Sequence, residues 1–124
     1  MKFSEFKKII FNICNGSNIT IHSFYEAAVT PNFHAALLEY ENKNIYLLCS
    51  YNGDWAFSNN LQYNELKFTN CSELSIKLKK MYGINVSTES ELHEPFSSNE
   101  KISESDIKYW KPKTIGEGLF NWWD

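Results

Sequence analysis

The chain has 124 residues, with 12 lysines and no arginine against 15 acids for a net charge of −3, and 43% of its residues are apolar. That length suits one domain, since two would each approach the size at which a hydrophobic core becomes marginal. A mean hydropathy of −0.43 with 22% charged residues is too apolar for a disordered chain, no apolar run nears the ~20 residues that span a bilayer, and the missing arginine forks argue against a nucleic-acid partner.

Phe3, Phe6, Ile9, Ile10 and Ile13 recur at helical spacing, with Lys7, Lys8 and Asn12 opposite, so residues 3–14 are expected to form an amphipathic helix ended by Asn15-Gly16. Phe11 falls off that stripe. Charges thread the apolar positions from Met1 to Lys8, unlike the unbroken apolar stretch of a secretory signal, which points to the cytoplasm. Cys14, Cys49 and Cys71, odd in number and without a CxxC pair, fit reduced thiols.

Strand signals come next at 19–25, 33–41 and 45–51, with Asn42-Lys43-Asn44 expected as a hairpin loop. Tyr51-Asn52-Gly53-Asp54-Trp55 is a tight-turn signal, because Asn-Gly supplies positive φ angles, and Trp55-Ala56-Phe57 should begin the returning strand. A further strand is expected over 63–69. Asn70-Cys71-Ser72-Glu73 then opens a helix with Leu74, Leu78 and Met81 on one face, Lys77, Lys79 and Lys80 in solvent, and Gly83 as its stop.

Residues 87–106 are acidic and serine-rich, with only Leu92, Phe96 and Ile102 to bury, and are expected to form a long loop or irregular excursion. Ser103-Glu104-Ser105-Asp106 resembles a helix start before Ile107 to Trp110, and Pro112 stops that helix from continuing. Residues 114–124 could close the chain with a short helix ending in Trp122-Trp123, a reading that Gly116 and Gly118 disfavour. The sum is an α+β domain, 1–124, with a mostly antiparallel sheet of four to five strands and N-terminal, middle and C-terminal helices.

Chemistry is poorly advertised. Cys49, His34 and Asp54 could supply nucleophile, base and orienting acid, but Cys49 sits in the apolar run Ile45-Tyr46-Leu47-Leu48-Cys49, where a cysteine is usually a buried hydrophobe. His22, His34 and His93 are isolated, so no metal or cofactor is expected. Glu39 and Glu41 share a strand face and could mimic a carboxylate pair; the plainer reading is the wet side of a hairpin. A small hydrolase or transferase using Cys49 or a histidine, and an adaptor subunit of a larger assembly, stand as the alternatives to a binding protein.

Two features favour binding. Six acids, Glu89, Glu91, Glu94, Glu100, Glu104 and Asp106, face Lys101 alone within 89–106, a net of −5 that could steer a basic protein partner. Trp55, Trp110 and Trp123 could anchor that partner as exposed aromatic hot spots. The closing run from Asp106 to Asp124, Asp-Ile-Lys-Tyr-Trp-Lys-Pro-Lys-Thr-Ile-Gly-Glu-Gly-Leu-Phe-Asn-Trp-Trp-Asp, resembles the end of small bacterial immunity proteins of contact-dependent growth-inhibition and related polymorphic toxin systems. That resemblance covers about 19 residues. It implies a non-enzymatic cytoplasmic protein that binds one cognate toxin domain, commonly a nuclease, and covers its active site.

Overall fold

The computed structural model describes residues 1–97 and 101–123. An N-terminal helix α1 (Phe3–Cys14) precedes four strands, β1 (Ile19–Tyr25), β2 (Phe33–Tyr40), β3 (Lys43–Ser50) and β4 (Trp55–Ser58), then a short β5 (Phe68–Thr69). Helices α2 (Ser72–Tyr82), α3 (Glu89–His93), α4 (Glu104–Trp110) and α5 (Ile115–Leu119) complete the chain. The sheet is an antiparallel meander in the order β1-β2-β3-β4-β5, which is the α+β architecture the sequence predicts.

Helix α1 spans the predicted residues because its stripe has a core to bury against. Phe6, Ile9, Ile10 and Ile13 are buried while Phe11 stays 55% exposed. With Leu74 and Leu78 of α2 they pack on the sheet face formed by Ala36, Leu38, Leu47, Cys49 and Phe57. Met81 does not share that burial and is 52% exposed. Gly83 ends α2 in the left-handed conformation expected of it, at φ 68°.

Two strand ends differ from expectation, each for a local reason. The β2–β3 hairpin turns on Glu41-Asn42, at φ 51° and 62°, with Tyr40 already paired to Lys43, and not on Asn42-Lys43-Asn44. Two consecutive positive φ angles make the tight turn whose twist matches the strands. Glu41 therefore leaves the strand face, and Glu39 pairs instead with His22 at 2.8 Å, so the carboxylate pair does not form. The strand expected over 63–69 shrinks to two residues because Asn60 captures the preceding backbone. Its Oδ1 accepts the Lys67 N–H at 2.8 Å, and its Nδ2 donates to the Glu65 carbonyl at 2.8 Å.

The opposite face of the sheet is covered as well. Phe33, Ala35, Leu48, Ala56 and Phe68 meet Leu92 of α3, Leu119 of α5 and Phe120 of the tail. The central strands are thus buried on both sides, and their near-continuous apolar runs result from that. This second layer positions the candidate site.

Candidate partner-binding cleft

The acidic segment is not one long loop. Thr88 caps α3, accepting the Glu91 N–H at 3.2 Å, while the Glu91 carboxylate accepts from the Thr88 N–H at 3.0 Å. Donation from the Thr88 N–H and from its hydroxyl, at 3.0 Å, holds the Glu91 carboxyl below its usual pKa range. Leu92, fully buried, then pins α3 to the second core. Ser103 caps α4 as the sequence predicts, accepting the Asp106 N–H at 3.2 Å. Among the predicted acids, Glu94, Glu104 and Asp106 are exposed, Glu89 is half-buried and Glu91 is committed to its cap. Glu100 lies outside the described residues.

Gly116 and Gly118, which argue against a helix by propensity, are what lets α5 dock. A Cβ on Gly116 would run into the Phe68 ring and come within 3.1 Å of the Leu92 carbonyl; on Gly118 it would meet the Phe96 ring at 2.6 Å. Close approach outweighs the ~1 kcal/mol that glycine costs in a helix. Gly116→Ala is therefore expected to destabilise the fold by about 1–2 kcal/mol, the overpacking cost less the recovered propensity, as measured by urea unfolding. An unchanged or higher midpoint would show that Phe68 yields freely.

A polar clamp then splits the terminal tryptophan pair. The Asn121 N–H donates to Asn32 Oδ1 at 2.9 Å and the Asn32 N–H to the Asn121 carbonyl at 3.0 Å, while Asn32 Nδ2 holds the Leu119 carbonyl at 3.0 Å. Trp122 turns onto Phe33, 5.3 Å away, and Tyr63, 5.5 Å away. Trp123 turns the other way and lies parallel to Trp110 of α4, with centroids 5.8 Å apart and planes within 2°. Both stacked indoles are half-buried, and the adjacent Tyr109 is 76% exposed.

These elements line a cleft of about 400 Å³, with Phe68, Phe120, Trp110 and Trp123 among its aromatic residues and Glu65, His93 and Glu117 contributing polar groups. The structure thus unites two of the three predicted anchors. Trp55 is a correction: it is 3% exposed, packed 5.7 Å from Phe6, because its side chain faces the α1 layer at the start of β4. Sequence reasoning missed Asn32, Glu65, His93, Glu117 and Asn121. Only Glu117 carried a readable signal, the Thr114-x-x-Glu117 capping box.

The hydrogen bonds of Cys49, His34 and Asp54 run elsewhere than to one another. His34 Nδ1 accepts the Ala27 N–H at 2.9 Å and its Nε2–H donates to the Met1 carbonyl at 2.9 Å. The Asp54 carboxylate accepts from the Ser50 hydroxyl at 3.2 Å and from Lys101 at 3.4 Å. Cys49 is fully buried, and desolvation pushes its thiol up to about 12. Native Cys49 is expected to label at least about 100-fold more slowly than free cysteine with a thiol reagent, becoming reactive on unfolding. Rapid native labelling would restore it as a nucleophile.

Among the described residues, no group of three His, Cys, Asp or Glu side chains could hold a metal ion, and no helix is long and apolar enough to cross a membrane. No family model matches the chain, and neither a curated protein nor a solved structure matches it.

Proposed function

We propose that this protein is an immunity protein: it binds a cognate bacterial toxin domain in the cytoplasm, a basic nuclease by preference, and covers its active site. The observation that carries the reading is the half-buried Trp110–Trp123 stack in a concave cleft, on the segment that also carries the acids of α3 and α4. Partly exposed aromatics supply contact area at low entropic cost, and flanking carboxylates raise the encounter rate with a cationic surface. A nuclease site is lined by lysine and arginine for phosphate, so an acidic inhibitor complements it. The resemblance of residues 106–124 to immunity proteins points the same way.

The test is co-expression with the protein encoded immediately upstream. The expected result is a neighbour toxic alone, harmless in the presence of this chain, and co-purifying with it. A neighbour that is harmless, or that does not bind, overturns the reading.

A further inference from the structure

We propose that the cleft between α4 and the C-terminal tail receives one arginine side chain of the protein partner, so that Trp110 and Trp123 act as a wall and not as pegs. This rests on the reading that the chain binds a protein through this face. Shape is the first argument. The parallel indoles both line a concavity of about 400 Å³, and a concave site admits a side chain where a protruding one would insert.

Charge is the second. The lining contains two carboxylates, Glu65 and Glu117, and none of the chain's 12 lysines. Glu117 is held in place: its Oε2 accepts from the N–H groups of Lys113 and Thr114 at 3.1 and 3.0 Å and from the Thr114 hydroxyl at 3.3 Å. A carboxylate so fixed loses little freedom on meeting a cation. A guanidinium matches the combination, since its flat face stacks on indole while its edge donates to carboxylate; an ammonium is a point charge without that face. The chain has no arginine of its own, so neither its own residues nor a second copy can supply the guest.

The test tracks the indole N–H signals of Trp110 and Trp123 in isotope-labelled protein during titration with a blocked Gly-Arg-Gly peptide. The lysine and citrulline analogues serve as controls. Saturable shifts at both indoles with a Kd of about 1–10 mM are expected for one side chain in a preformed site. The lysine peptide should bind at least about 3-fold more weakly, and citrulline, the same shape without charge, should not bind. Trp110→Ala should weaken the arginine peptide about 5-fold. The exposed Glu65→Gln, which leaves packing untouched, should weaken it about 3-fold. No shift up to about 50 mM, or an equal response to the lysine or citrulline peptide, overturns the proposal. If the peptide binds and the toxin domain does not, the immunity reading fails alone; if the toxin domain binds and the peptide does not, the cleft proposal fails alone.

Discussion

Replacing Trp55 by alanine is expected to lower unfolding free energy by about 3–5 kcal/mol while leaving the partner affinity of the folded fraction unchanged. The indole is 3% exposed, lies 5.7 Å from the Phe6 ring and belongs to the core built by α1 and α2. Its backbone is also a joint, since the Trp55 carbonyl accepts the Ser87 N–H at 2.9 Å and Trp55 bridges to Val86. Loss of an indole there removes buried apolar area and leaves a cavity that two packed layers cannot close. Against the 5–15 kcal/mol typical of a domain, that loss is at least about a fifth of the total. Trp123→Ala is the counterpart: a half-buried ring at the cleft wall should cost about 1 kcal/mol in stability and at least about 10-fold in partner affinity. The two effects separate in urea unfolding and calorimetric titration. A Trp55→Ala variant that unfolds near the parent midpoint yet binds poorly would return Trp55 to the interface.

Combined reversal of Glu94, Glu104 and Asp106 to lysine is expected to slow association with a basic toxin domain by about 10–100-fold at low salt. Each reversal adds two units, so the chain's net charge passes from −3 to +3. The three side chains are exposed, and none caps a helix through its carboxylate, so the fold should absorb the change within about 1–2 kcal/mol. Glu91 is left in place because its carboxylate closes the α3 capping box. Exposed charges act over roughly the Debye length, about 8 Å at physiological ionic strength, so the salt dependence of the association rate should flatten while dissociation changes little. Stopped-flow mixing across a salt series reads both quantities. An unchanged rate and slope would remove α3 and α4 from the encounter.

Much of the fold was legible because local and global signals agree. The stripe Phe6, Ile9, Ile10, Ile13 demands a helix whatever surrounds it, and Phe11 announced its own exposure by falling off the stripe. Ser103 and Gly83 marked helix ends by their own hydrogen-bonding and φ preferences. The errors lie where a side chain overrides propensity. Asn60 replaces a ladder with its own amide, and Thr88 and Glu91 build a helix inside an acidic run; the short closing helix is where expected, with Gly116 accepting poor propensity for contact with Phe68. Thr88 and Glu91 could have been read as a capping box, and Asn60 acts on Glu65 and Lys67, only five and seven residues away; the Gly116 contact could not be read, because Phe68 and Leu92 are distant in sequence.

The amino-acid sequence by itself therefore determined the α+β class, a mostly antiparallel sheet of four to five strands, the buried faces of α1 and much of α2 and the acidic character of residues 89–106, while the order of the strands in the sheet came from the tertiary structure. Those properties reside in periodicity, turn chemistry and charge, which act over a few residues. Only the tertiary structure decided that Trp55 is core, that Trp122 and Trp123 part company, and that Trp110 and Trp123 meet in a cleft with Glu65 and Glu117. Burial of an aromatic ring depends on what the sheet and the returning tail bring to it. The Asn32–Asn121 clamp that aims the tail joins residues 87 to 89 positions apart, a separation that no local pattern encodes.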